Sequence, residues 1–472
     1  MNIRVKTQSP GTGLWFFALI AAALMGLTLL FLGETGLAAW LGLFLAFLAL
    51  YLTWRYQYPA LCCAVAVLGL APFSWGLKIE PLPLIRLDDI IVLTYFSYFF
   101  AAYFLSTHKK FSLGTRDITL ALIFFLIGQA IVFIIYPPLY PEARNFINTV
   151  VLGLIFYVLV YNETEASNIE SMIGFIAVTT IVLSSALYIE FLMGQNPLME
   201  KAAEYFYMSR AETERLGGVY RPYLTFFTAS EAGTFIAMGL PLVLYKIRRW
   251  PRAWYYLILA FLGLALILNY TRGVWLALGL SSMIFLPRVR RIILWTLPFL
   301  ILAWFVADLY FSEYPFVKRL GDPTNLLIRF FYWDVAADIL QDHWFFGVGH
   351  GNFKRIYLEF IRTQTFDLEL PIKKIFVADN AYLTTLVEHG LVGLSVLLAL
   401  IFLAIRTLRK LHRNFIQKDD QVNKARLMTL GFGLSVYLLA GLLVDVHLFT
   451  KVTNLCFVLL ALALSLSKPE PA

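Results

Sequence analysis

The sequence predicts an all-α integral membrane protein: a polytopic bundle of about fourteen transmembrane helices, with a long extracytoplasmic loop that contains an amphipathic helix. Composition is the first reason, since 60% of the 472 residues are hydrophobic and only 14% are charged, too little polar surface to cover a soluble globule. The second is recurrence, because apolar runs of about 20 residues follow one another along the chain. The third is the placing of Lys and Arg, which gather in alternate connections, as expected of residues that resist translocation.

The expected spans are Gly13 to Leu32, Thr35 to Thr53, Pro59 to Trp75, Asp88 to Leu105, Asp117 to Tyr136, Phe146 to Tyr161, Ile169 to Leu192, Phe227 to Tyr245, Ala253 to Asn269, Gly273 to Leu286, Ile292 to Phe311, Ala381 to Ile405, Ala425 to Val444 and Thr453 to Leu466. The first is long and closely followed by others, which makes it an anchor rather than a cleaved leader. If the N-terminus with Arg4 and Lys6 is cytoplasmic, the same side receives Lys109, Lys110 and Arg116, then Lys246, Arg248, Arg249 and Arg252, then Arg288, Arg290 and Arg291. It also receives the dense cluster from Arg406 to Arg426. Both termini are then cytoplasmic and the two long connections face outward.

The net charge of +8 is accounted for by this basic collar against the anionic headgroups of the lipid bilayer and calls for no nucleic acid. Cys62, Cys63 and Cys456 all fall inside expected spans, so neither outward loop has a cysteine for a disulfide or a zinc site. The chain divides into an N-terminal transmembrane bundle, 1–209, and a C-terminal transmembrane region, 210–472, which includes the large outward loop 312–380. Polar machinery of that size between two spans is a site for chemistry before it is a connector.

Several outward residues oppose the charge rule: Arg215 and Arg221 in the first long connection, Arg272 in a tight turn between two spans, and Arg319 and Arg329 in the second. Their guanidinium forks point to an anion on that side. Asp322-Pro323 is an N-cap followed by proline at the first helical position. Leu326, Leu327, Phe330, Phe331, Trp333, Val335, Ala336, Ile339 and Leu340 follow at helical spacing, with Arg329 one turn before Trp333. This is the amphipathic helix, its apolar face buried against the bundle or in the outer leaflet. Next comes Phe346-Gly-Val-Gly-His-Gly-Asn-Phe353. Gly347, Gly349 and Gly351 at alternate positions suit either a concavity of amides for an anion or a tight turn. At the loop's end, Asp379-Asn380-Ala-Tyr-Leu leads into the next span and on to Glu388-His389-Gly390. There Asp379 either presents its charge at the mouth of the helix or caps it.

Five pieces together resemble the O-antigen ligase and O-antigen polymerase superfamily of membrane glycosyltransferases. They are Arg215-Leu-Gly217, with Arg221 an equally good match; Thr271-Arg272-Gly273; Arg329 with Trp333; Phe346-Gly-Val-Gly with Gly351-Asn352-Phe353; and Asn380-Ala-Tyr-Leu with Glu388 and Gly390-Leu-Val-Gly393. The resemblance covers roughly residues 210 to 465.

That resemblance implies transfer of a glycan from a polyprenyl (undecaprenyl) diphosphate to an acceptor hydroxyl on the outer face of the inner membrane. Arg215, Arg221, Arg272 and Arg329 are then the diphosphate-binding candidates, because fixed forks can stabilise a leaving diphosphate without a metal or other cofactor. Asp379 and His350 are the candidate catalytic proton acceptors. Gly347, Gly349, Gly351, Asn352, Asn380 and Glu388 are expected to bind the glycan or shape the loop. Ligases of the family carry a histidine where this sequence has Asp379, and that departure favours a polymerase of surface-polysaccharide repeat units over a ligase acting on lipid A core. A chain-length regulator or a flippase is the expected protein partner. Two other classes compete: a lipid-linked oligosaccharide flippase, and a metal-dependent transferase built on Asp88-Asp89.

Overall fold

The computed structural model describes residues 112–137, 143, 146–165, 168–194, 196, 220–226, 228–248, 250–311, 324–357, 379–448 and 450–468, together with 76, 77, 85, 86, 94 and 97. The first three expected spans, the fourth apart from Thr94 and Ser97, Arg215, Arg319, Asp88-Asp89 and the Asp322-Pro323 cap lie outside these residues. Among the described residues the fold is helical, apart from a two-residue antiparallel ladder between Gly76–Leu77 and Ile85–Arg86.

The helices run in the order α1 (Arg116–Ile135), α2 (Leu152–Glu163, entered through a π-helical turn, Ile147–Val151), α3 (Ile169–Met193), α4 (Ala229–Ile247), α5 (Arg252–Leu268), α6 (Arg272–Phe285), α7 (Pro287–Phe311), α8 (Thr324–His343), α9 (Ala381–Gln417), α10 (Gln421–Ala440) and α11 (Thr450–Ser465). Each expected span from the fifth onward is met by one of these helices. Among the described residues, α1, α3 and α9 are long and apolar enough to cross a membrane, and α5, α6, α11 and α2 with its π-helical turn are shorter apolar helices. Ile134 and Leu192 are 80% and 83% exposed on their helices, which water would penalise and lipid tails would not.

The interior is built around α4 and α11. Every residue of α11 except Cys456 and Phe457 is buried, and the helix packs against α2 and α10, while α4 lies between α3 and α10. Close approach is helped by missing side chains: a Cβ on Gly153 would meet Phe457, and one on Gly239 would meet Thr180. One continuous apolar core runs from Ile118 to Leu466, across the position where the sequence divides into two regions.

Two features depart from expectation. The basic run from Arg406 is not a loop, because α9 continues past Ile405 to Gln417 and turns directly into α10. Asp420 caps that second helix, accepting the backbone N–H of Asn423 at 3.0 Å. Near this end Glu170 of α3 joins Lys246 of α4 at 3.2 Å and Arg426 of α10 at 3.3 Å.

The second departure is a break in α9. Gly390 takes φ 63° and ψ −167°, so the helix is interrupted nine residues after it starts at Ala381. The backbone groups freed there pair with the glycine turn. Leu391 and Val392 donate to the carbonyls of Trp344 and Phe345 at 2.8 and 3.2 Å, while Val348 and Gly349 donate to those of Val387 and Glu388 at 3.0 and 2.8 Å. The chains lie so close that a Cβ at Gly390 would sit 2.1 Å from the carbonyl oxygen of Phe345, and one at Gly347 2.5 Å from the backbone of Glu388. Glycine is required at both. The apolar face of α8 closes over this junction: Tyr332, Val335, Ala336 and Ile339 pack with Val348, Phe353, Tyr357 and Val387.

Candidate functional site

Four pieces of chain converge at the N-terminal end of α9. The first is the segment Tyr220–Phe226, which has little secondary structure of its own and is held by side chains. Glu190 accepts from the Tyr220 hydroxyl at 2.6 Å and from the amides of Tyr223 and Leu224 at 3.0 and 2.7 Å. The Lys451 ammonium donates to the carbonyl of Thr225 at 2.8 Å, and Asn269 donates to those of Pro222 and Ala229 at 3.0 and 2.9 Å. A buried backbone without a ladder must find such partners.

That framework aims Arg221 at the second piece, the start of α6. The guanidinium of Arg221 donates to Thr271 Oγ1 at 3.1 Å, and the Thr271 hydroxyl donates in turn to Asn269 Oδ1 at 2.6 Å. Arg272 follows as the first residue of α6 and is half-buried. Gly273 lies against Leu443 and Val444, which places this helix start beside the third piece, the turn between α10 and α11.

That turn carries Asp445, a buried residue absent from the sequence expectations. Its Oδ1 accepts the Thr384 hydroxyl at 2.6 Å. Its Oδ2 has no hydrogen bond among the described residues. Burial and the neighbouring Asp379 charge push the Asp445 carboxyl up to about 7. The missed signal was an acid at the edge of an apolar run, immediately after the expected span ending at Val444.

The fourth piece is Asp379-Asn380 itself. Asn380 caps α9, its side chain accepting from Tyr382 and Leu383 at 3.1 Å each; Asp379 therefore does not serve as the cap. Asp379 is held at φ 50°, in a left-handed conformation that Asp tolerates better than most residues. Its Oδ2 accepts from Arg329 Nε at 3.2 Å, with both side chains about a third open or less. Burial raises the Asp379 carboxyl above its ordinary range, against the opposing pull of Arg329 and Arg221. Arg221, Arg329, Asp379 and Asp445 thus form one group: two cationic forks around a pair of carboxylates. Such a group can bind an anion and, through the raised carboxylates, accept a proton.

The other expected residues lie elsewhere. His350 is buried and sits 3.3 Å from His389 and 3.4 Å from Glu388, not with Arg329 and Asp379. Burial holds its imidazole down to about 4. The amides of Gly347, Val348 and Gly349 donate to protein carbonyls, so the glycine run is a tight turn spliced into α9 rather than an open cradle for an anion. Asn352 steadies that turn, donating to the carbonyl of Val348 at 3.0 Å. Gly351, at φ 73°, completes it.

Residues 257–398 match the family model Wzy_C, described as O-Antigen ligase. The match contains the start of α6, all of α8, the glycine turn and the broken part of α9, and it supports the resemblance to the O-antigen ligase and polymerase superfamily. No curated protein sequence matches the chain.

Proposed function

We propose that this chain, a membrane protein carrying an O-antigen ligase-type region, is a glycosyltransferase that polymerises surface-polysaccharide repeat units. It moves a glycan from undecaprenyl diphosphate to an acceptor hydroxyl on the outer face of the bacterial inner membrane. One observation carries this reading: Arg221 and Arg329 converge on Asp379, with Asp445 behind it.

The chemistry follows from the charges. As the anomeric C–O bond to the diphosphate breaks, the leaving group takes the electron pair. Arg221 and Arg272, with Arg215 from the preceding stretch of chain, meet the growing negative charge. Asp379 takes the proton of the attacking hydroxyl, and its raised affinity for a proton makes it a better base than an exposed carboxylate. Arg329 orients Asp379, whose charge in turn keeps the Asp445 carboxyl from ionising. A single displacement inverts the anomeric configuration, which product stereochemistry reads directly. Both termini are cytoplasmic in this scheme and the site faces outward, where a chain-length regulator or flippase would meet it.

A second reading, ligation of finished polymer to lipid A core, is favoured by the description of the matching family. The acid at position 379, where ligases carry histidine, favours the polymerase. The deciding experiment is analysis of carrier-linked glycans in a host lacking the gene and then complemented. A polymerase leaves single repeats on the outer leaflet. Finished polymer still on its carrier would replace this reading by ligation, and repeats trapped on the inner leaflet would replace it by flipping.

A further inference from the structure

Where the glycine turn meets α9, beyond the arginine–carboxylate group, lies a second polar cluster to which the proposed chemistry assigns nothing. His350 Nδ1 stands 3.3 Å from His389 Nε2 and 3.4 Å from Glu388 Oε2, and the ligand-type atoms of the three residues all lie within 4.8 Å of one another. All three side chains are buried, and the rings of Phe133 and Phe146 wall His350 at 5.9 and 5.5 Å.

Hydrogen bonding alone accounts poorly for this meeting. His350 Nδ1 has one proton at most to offer, and it faces two acceptors. With the other tautomer, its lone pair faces a carboxylate oxygen. If His389 Nε2 accepts, its Nδ1 must hold the proton, yet that atom is buried with no hydrogen-bond partner among the described residues. A cation resolves the conflict by drawing the lone pairs to one point. Ligands bound tetrahedrally at about 2.0–2.2 Å stand about 3.3–3.6 Å apart, the spacing of His350 Nδ1 from each of the other two ligand atoms. A further imidazole is close by. His447 lines the same cavity of about 650 Å³, and neither of its ring nitrogens has a hydrogen-bond partner among the described residues.

We propose that His350, Glu388 and His389 bind one divalent cation of the Zn²⁺ class. Two imidazoles and one carboxylate select a borderline transition metal over Mg²⁺ or Ca²⁺, which prefer all-oxygen sets. The role is structural. His350 rides on the glycine turn while Glu388 and His389 precede the break at Gly390, so the ion fastens side chains across the same junction that the backbone bonds close. The site does not include Asp379 or Asp445, and the inference stands apart from the glycan chemistry proposed above.

The test uses the full-length protein in detergent, stripped with a chelator and titrated with ZnCl₂ and, separately, CoCl₂. One Zn²⁺ per chain is expected, with Co²⁺ giving the visible absorption of a low-symmetry nitrogen–oxygen site. His389→Ala and Glu388→Gln should each weaken Zn²⁺ binding by about 100-fold or more, whereas Asp379→Asn should retain the wild-type stoichiometry. Wild-type protein that takes up less than a tenth of an equivalent overturns the proposal, as does unchanged Zn²⁺ affinity in folded His389→Ala. Should the variants not fold, the wild-type Co²⁺ spectrum decides: an all-oxygen octahedral spectrum overturns the site, and a nitrogen-ligated one upholds it.

Discussion

The two polar groups beside the start of α9 differ in what surrounds them. Arg329 and Asp379 keep 26% and 30% of their side chains open, whereas His350 and Glu388 keep 8% and 4%. The first group is fixed largely by side chains reaching in from neighbouring helices; the second is enclosed where two backbone segments are bonded edge to edge. An open ion pair can exchange partners when a charged substrate arrives. A closed polar cluster cannot do so without unlacing the chain. Reacting groups are therefore expected at the first and immobility at the second, though both lie beside the first turns of α9.

The largest effect should come from the residues proposed to do the chemistry, at the start of α6 and in the open group. Arg272→Ala is expected to abolish transfer in protein that is still inserted and folded, and Arg272→Lys to restore little, because a point charge lacks the fork. Good turnover in the lysine variant would mean that charge alone suffices. Asp379→Asn should lower turnover by about 10²- to 10⁴-fold while changing donor binding much less. An unchanged rate would reduce Asp379 to a partner for Arg329.

A pH profile gives the next largest effect. A base must be deprotonated to act, so activity should fall as pH drops, by up to about tenfold per unit below the midpoint. Burial raises the Asp379 carboxyl above the ordinary carboxylate range, so the acid limb should lie above that of an exposed aspartate. A flat profile down to about pH 4, the ordinary value of an exposed aspartate, would remove a raised carboxylate from the chemistry.

The closed region should answer in stability. Gly390→Ala forces a side chain into a left-handed position against the backbone of Phe345 and should cost about 1–3 kcal/mol in strain alone, read as a lower melting temperature in detergent. A melt matching wild type would mean that α9 runs unbroken there. The smallest effect is expected for Asn380→Ala, about 1 kcal/mol from the lost cap. It would separate the cap from Asp379 if turnover stays within a fewfold of wild type.

Much of the helical order was legible because apolar runs announce themselves. The helix Ile169–Met193 differs from its expected span by one residue, and Arg116–Ile135 by one at each end. Less legible was anything decided by contacts distant in sequence. Nothing local to Gly390 says that Phe345 will occupy the space of its missing side chain. Asp445 passed unnoticed because its neighbours are apolar, and its meaning comes from Asp379, far away along the chain. His350 and Asp379 both looked like proton acceptors in one loop, yet their partners separate them. Arg221 and Arg329 were singled out from the sequence because they stood on the wrong side of a charge rule, a physical signal that needs no tertiary structure.

The burial of α11 has a consequence for synthesis. The helix that fills the centre is made after α2, α4 and α10, the helices that enclose it. Those neighbours leave the ribosome first and must wait with an open slot between them, lined in part by Asn148 and Thr149, whose later partners are Asn454 and Thr450. Lipid tails can fill that slot but offer its polar groups no hydrogen bonds. Final closure is then the step in which the arriving helix supplies Asn454 and Thr450.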